Sequence, residues 1–274
     1  MIRKALFFVG CASGLAGAVC AEPLEKPASA STVAAQRALL ESLPKDDGRD
    51  SGFADRGFLA TLSDPLIKAK DGKVVWNLDA YDWMKGNTAP ESVNPSLWRH
   101  MGLLRKHGLF ALSENMWQVR GFDVSNMTVI KGQSGWILID PLTTRETAGA
   151  ALRLVNETLG ARPVSAVIYS HSHGDHFGGV RGVVNEADVK AGKVQIVAPE
   201  HFMAETASEN VMAGPAMGRR ANFQFGSHLQ PGPFGQMGSG IGRGISGGDI
   251  TLIAPTIDIK KTGETRVIDG VTLE

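Results

Sequence analysis

The chain has 274 residues, of which 43% are hydrophobic and 20% charged; 28 basic and 28 acidic residues give a formal net charge of zero. That length admits one large domain or two small ones, and the neutral balance leaves no basic field to draw nucleic acid or an anionic membrane. Both cysteines, Cys11 and Cys20, lie within the first 21 residues, so beyond that segment no disulfide or thiolate ligand is available and any metal must be held by histidine and carboxylate.

The first 21 residues carry Arg3 and Lys4, an apolar run from Ala5 to about Val19, and small residues up to Ala21. This three-part pattern predicts a signal peptide over 1–21, cleaved after Ala21, and hence a secreted or periplasmic protein. The run is short and diluted by small residues, so no stable membrane insertion is expected after cleavage. Residues 22–30 read as a linker. Ser31 to Leu43 sets Val33, Leu39, Leu40 and Leu43 on a helical period closed by Pro44, and DDGRDSG after it reads as a solvated loop. VVWNLDAY (74–81) predicts a short strand and turn. Pro95 to His107 predicts a helix with Leu97, Trp98, Met101 and Leu104 on one side. Residues 22–108 are thus expected to form an N-terminal extension packed on a core domain spanning 109–274.

The core pattern begins near Leu109. GLFALSENMWQVRG predicts strand, turn and strand. NMTVIKGQSGWILIDP predicts a hairpin of Met127 to Lys131 and Trp136 to Asp140. Thr143 and Glu146 have capping-box spacing, and the helix they open runs to about Leu159, with Ala148, Ala151, Leu152, Val155 and Leu159 on one face, and stops at Gly160. VSAVIYS (164–170) is nearly all apolar, as suits a strand buried on both faces, and VQIVAP (194–199) is another strand. Glycines cluster after position 214 and suggest loops there, while DITLIAPTIDI, TRVIDG and VTLE read as successive strands and a hairpin turn. The alternation predicts α/β layers with a site beyond the carboxyl ends of the strands.

At the end of VSAVIYS stands HSHGDHFGG (171–179), which holds three of the chain's seven histidines within six residues. His171 and His173 are two apart, so in extended geometry they face the same side. Gly174 permits a sharp turn, after which Asp175 and His176 point towards a second position. Imidazole and carboxylate donors suit zinc, and also iron or manganese. Two such ions roughly 3.5–4 Å apart would clamp a substrate oxygen and share a hydroxide.

H-x-H-x-D-H after a hydrophobic strand resembles the signature of the metallo-β-lactamase superfamily. VNPSLWRH, GLFALSENMWQVRGFDVSNMTVIKGQSGWILIDPL and SHSHGDHFGGVRGV are similar to its alkyl sulfatase branch, of the secreted dodecyl sulfate hydrolase type, from about residue 50 onwards. The resemblance implies an α/β fold, a metallo-β-lactamase-like αββα sandwich, and hydrolysis of a small amphiphilic sulfate ester to alcohol and sulfate. It implies two Zn2+ per complete site, with His171 and His173 serving one and Asp175 and His176 the other. A metal-bound hydroxide or water would be the nucleophile, and Asp175 would be catalytic as well as a ligand. Asp140, ending the WILID strand, would orient a ligand; the alternative is a cap on the following helix. RRANFQFG (219–226) resembles an Arg-Arg-x-x-Tyr-x-Tyr-Gly segment near the substrate, with Phe223 and Phe225 in the tyrosine places. Asn222 and Arg219 are candidates for an anionic head group, and Phe223, Phe225, Met212 and Met217 for a groove around the apolar tail; core packing or a solvated loop are the alternatives.

Each zinc normally takes three protein ligands, and the motif supplies two and two. By resemblance the remaining ligands, a dimerisation domain and a lipid-carrier-like domain lie farther along than Glu274. The chain therefore reads as the N-terminal part of a longer, homodimeric enzyme, or as a truncated product, with the sandwich incomplete at its C-terminus. Within the chain His228 is the candidate to close the site and His201 a weaker one; His100 and His107 read as surface residues. Two other readings stay open: another hydrolase of the same fold, a lactamase or lactonase completed by His228, and an inactive remnant.

Overall fold

The computed structural model describes residues 26–274; the expected signal segment lies outside the described residues. The Ser29 hydroxyl accepts the Thr32 N–H and starts α1 (Ala30–Ser42). A second helix, α2 (Arg49–Asp55), follows where DDGRDSG was expected to be a loop. It has no buried residues. Instead the Asp46 and Asp47 carboxylates accept the N–H groups of Gly48 and Arg49, and Arg99 binds Asp46 and Asp50, so charge rather than an apolar stripe anchors it. The extension continues with β1 (Phe58–Ala60), β2 (Leu66–Lys68), β3 (Val74–Asn77) and α3 (Pro95–Leu104), the last capped by the Asn94 side chain.

The remaining chain runs β4 (Gly108–Ser113), β5 (Met116–Arg120), β6 (Met127–Lys131), β7 (Trp136–Ile139), α4 (Arg145–Leu159), β8 (Val164–Ile168), α5 (Gly174–Phe177), α6 (Val180–Val183), α7 (Glu186–Lys190) and β9 (Gln195–Pro199). After these come α8 (Phe202–Ala207), a π-helical turn (Ser208–Met212), α9 (Gly214–Phe225), β10 (Ile257–Ile259), β11 (Arg266–Ile268) and β12 (Val271–Leu273). An eight-stranded sheet has the order β1-β4-β5-β6-β7-β8-β9-β10. The short turns between β4 and β7 give antiparallel pairs. Helical connections after β7, β8 and β9 return the chain to the same end, so β7 to β10 are parallel. β1 pairs with β4, so the extension supplies an edge strand to this sheet.

Adjacent strand residues face opposite sides, and both faces are covered. On one side Leu138, Val167 and Ile196 join Ala148, Ala151, Leu154 and Val155 of α4 in the main core. On the other, Ile137, Ala166 and Val197 pack against Ile268 of the β11–β12 hairpin. The expected α/β layering is borne out: helices, a large mixed sheet, then a second β layer formed by that hairpin. A satellite core of Tyr81, Met84, Val93, Trp98, Met101 and Met237 fastens α3 to the later loops.

Three local expectations are corrected. The cap of α4 is Thr144, which accepts the Thr147 N–H; Thr143 instead gives its N–H to Asp123, and Glu146 accepts the Asp249 N–H. The residues after position 214 form α9 before any loop. The stretch from Asp249 to Pro255 is not a strand: Thr251 donates both its N–H and its Oγ1 to the Gly178 carbonyl, pinning this segment across α5 and α6. No helix among the described residues is long and apolar enough to cross a membrane.

Candidate metal centre

The site is assembled where β7 and β8 end side by side. Asp140 donates its N–H to the Ile168 carbonyl and then turns at φ 57°, followed by Leu142 at φ 60°. Left-handed backbone at two non-glycine residues costs free energy, and such strain gathers at functional sites. Here it swings the Asp140 carboxylate over the end of β8. That carboxylate accepts the Ser170 N–H at 2.8 Å, the Ser170 hydroxyl at 2.7 Å and the His176 Nδ1–H at 2.8 Å. Asp140 therefore orients an imidazole of the motif, while Thr144 caps α4.

The motif loop brings its side chains together. The His171 ring lies 4.6 Å from that of His173 and 4.0 Å from that of His176, centroid to centroid. Ser170 Oγ holds His171 Nδ1 at 2.9 Å. His176 Nε2 faces Asp175 Oδ2 at 3.1 Å. Burial and the neighbouring His176 and His173 rings keep His171 below the ordinary histidine pKa, in the neutral form a ligand needs. Burial would also lower His176, but its hydrogen bonds to Asp140 and Asp175 prevail and push it up to about 9. Asp175 is held below the ordinary carboxylate range: desolvation acts to raise it, and the His176 contact overcomes that.

Among the described residues no group of three or more His, Cys, Asp or Glu side chains stands ready to hold a metal ion; Asp175 and His176 face one another instead. The chemistry of the donor set nevertheless fits a divalent cation. The rings of His171, His173 and His176 cluster beside the Asp175 carboxylate; the Nδ1 atom of His171 is engaged, which leaves its Nε2 to coordinate, whereas the Nε2 of His176 is turned to Asp175 and would exchange that contact for a metal.

Residues that the sequence did not single out support the loop. Ser125 Oγ donates to the Asp175 carbonyl at 2.5 Å. Ser172 Oγ donates to Glu209 Oε2 at 2.6 Å, Glu209 Oε1 lies 3.7 Å from His173 Nε2, and Asn210 Nδ2 donates to the Ser172 carbonyl. Asp123, 3% exposed, accepts from the N–H groups of Val124, Thr143 and Ser246 and from the hydroxyls of Thr147 and Ser246. It thereby fixes the loop that carries Ser125. No spacing rule links these positions to the motif; only the fold does.

The other candidates lie apart. Asn222, Phe223 and Phe225 are on α9; Phe225 and Asn222 are half-buried, while Phe223 is 93% exposed and so is not core. Met212 and Met217 are also exposed. His228 is exposed in the turn after α9 and His201 is exposed at the start of α8; neither joins a metal-holding group. His100 is exposed as expected, its ring bonded to the Gly240 carbonyl. His107 is not a surface residue: it is largely buried between Thr61 and Asp79, and burial together with the Arg243 charge holds its pKa below the ordinary value. A cavity of about 550 Å³ lined by Val164, Arg181 and Val194 opens at the amino ends of β8 and β9, away from the motif.

Comparison with known proteins adds a family frame. Residues 120–261 match the family model described as the metallo-beta-lactamase superfamily. The chain is 48% identical over 269 residues to a linear primary-alkylsulfatase of Pseudomonas sp, covering 98% of this chain and 40% of that protein. It is 48% identical over 246 residues to the alkyl/aryl-sulfatase BDS1 of Saccharomyces cerevisiae, covering 90% of this chain and 38% of that protein. Among solved structures it superposes on the stereoselective inverting sec-alkylsulfatase Pisa1 from Pseudomonas sp. with a TM-score of 0.86 at 45% identity, over 90% of this chain and 39% of that one. The chain thus spans about 40% of the length of these relatives.

Proposed function

The chain belongs to the metallo-beta-lactamase superfamily, and from that premise we propose that it serves as a metal-dependent hydrolase of alkyl sulfate esters, with the HSHGDHFGG loop as a wall of its zinc centre. The observation that carries this reading is the convergence of His171, His173, Asp175 and His176 beside an Asp140 that already holds His176 by Nδ1. The alkylsulfatases among its relatives support the substrate class. His171 and His173 would hold one Zn2+, and Asp175 and His176 another. When bound, zinc supplies Lewis acidity that polarises a sulfate oxygen and acidifies water.

The chain's own residues do the rest. Asp140 and Ser170 hold the Nδ1 atoms of His176 and His171 and so orient both rings, and the His176 Nε2 would exchange its Asp175 contact for the metal on binding. Asp175, kept ionised beside His176, would accept the proton of an attacking water once its contact with that ring is given up. The exposed apolar side chains of Phe223, Met212 and Met217 suit an alkyl tail, and Asn222 and Arg219 of α9 would serve the charged head. The amino-terminal pattern supports export to the periplasm or beyond.

The test is to load the 274-residue chain with zinc and to measure metal per chain by elemental analysis beside sulfate release from dodecyl sulfate. Zinc uptake, lost in the H171A/H173A double variant, is the expected result for a site this chain supplies only in part; about two tightly held zinc ions with sulfate release would show that ligands within the chain, such as His228, close it. Zinc uptake and turnover that ignore the double variant would refute the assignment of the site.

A further inference from the structure

We propose that the π-helical turn Ser208–Met212 is the element that sets the HSH loop, and that Glu209 and Asn210 are positioning residues acting through Ser172. The consequence for metal binding rests on the reading above; the positioning itself does not.

Ser172 separates His171 from His173, and it is gripped twice. Its hydroxyl donates to Glu209 Oε2 at 2.6 Å, and its carbonyl accepts from Asn210 Nδ2 at 2.9 Å. Two consecutive residues reach the same target because the turn is widened: the Ala213 N–H bonds the Ser208 carbonyl, five residues back. Asn210 Nδ2 also donates to the Thr206 carbonyl at 2.9 Å, so one amide ties α8 to the motif. Glu209 spans the loop in the other direction, with Oε1 3.7 Å from His173 Nε2.

The platform beneath this turn is rigid. Phe202 of α8 is buried, stacks on Tyr169 at 5.0 Å and meets Phe177 edge-on at 5.6 Å. Tyr169 immediately precedes the motif loop and Phe177 closes it, and those two rings also touch, at 6.1 Å. The aromatic trio therefore locks α8 to both ends of the segment that Glu209 and Asn210 hold in the middle. A carboxylate beside His173 would add negative charge where a cation would sit, and the two grips on Ser172 fix the residue that joins the two imidazoles.

The reporter is the His176 amide, which donates to the His173 carbonyl at 3.0 Å and so reads closure of the loop. Hydrogen exchange would be followed in the metal-free 274-residue chain, in wild type and in the variants E209A, N210A and E209Q, with the Val167 amide of β8 as the control. E209A and N210A should each speed His176 exchange by about tenfold while Val167 stays unchanged. E209Q keeps an acceptor for the Ser172 hydroxyl and should return the rate to near wild type. Competition with a chromophoric chelator should show zinc affinity falling about 10–100-fold in E209A. Unchanged His176 exchange, an equal change at Val167, or no rescue by E209Q would each overturn the proposal. If the wild-type chain takes up no zinc, the metal-centre reading fails by itself, and the exchange data still decide the role of Glu209 and Asn210.

Discussion

Asp269 is held at φ 46° ahead of Gly270 at φ 78°, the pair that turns β11 into β12. Its carboxylate reaches back to the turn before β7, where it accepts the Ser134 N–H and hydroxyl and the Gly135 N–H. Desolvation acts to raise its pKa, but these donors favour the ionised form and hold it below the ordinary carboxylate value. The unfolded chain thus takes up this proton more readily than the folded one. The stabilisation is complete above the ordinary carboxylate range and is lost as pH falls through the lowered folded pKa. Asp269→Asn, which tolerates the same backbone, should lower the melting temperature at neutral pH, with the gap to wild type closing below about pH 4; a gap that persists in acid would contradict this. At this scale the sequence is a partial guide. The Asp-Gly turn and the dense histidine motif are local signals and were legible. The targets of Asp269, Asp123 and Glu209 lie far along the chain, so nothing near those residues announces them.

α4 packs closely on α6, which Gly179 precedes as its cap. A Cβ on Gly179 would stand 2.1 Å from the Pro141 carbonyl oxygen and 2.5 Å from Ala148 Cβ. Neither neighbour can give way without moving β7's exit or α4. Gly179→Ala should therefore destabilise the protein by on the order of 2–3 kcal/mol, readable as a lower urea midpoint, and should loosen the motif that it ends; an unchanged midpoint would show that α4 slides freely. Apolar periodicity revealed α3, α4 and the strands from β4 to β9 because each buries a stripe or a face, and α1 although none of its residues is buried. It missed α2, which is anchored by Arg99, and misjudged the stretch from Asp249 to Pro255, whose apolar residues look like a strand but whose backbone bonds run to Gly178 and Arg145.

Across the whole molecule, the extension and the core are joined by a buried cation. Arg243, 4% exposed, donates to the carbonyls of Leu78 and Gly121 and lies 5.3 Å above the Trp76 ring, while Tyr81 donates to its carbonyl. Burial depresses its pKa to about 10. Arg243→Met would leave the Leu78 carbonyl without its donor and the Gly121 carbonyl with Trp76 Nε1–H alone, and should cost about 1–3 kcal/mol, with proteolysis appearing first between β3 and α3; equal stability and unchanged cleavage would argue against the clamp. Together with β1 on the sheet edge, it makes residues before Leu109 part of the fold rather than an appendage. The strand order carries a further consequence, in time rather than space. From β4 to β10 every strand lies beside the one synthesised just before it. As the polypeptide emerges in order from its amino end, each new strand finds its edge already waiting, and none has to be threaded between two that have paired. The sheet grows in one direction, and its exposed edge at any moment is the site of the next addition.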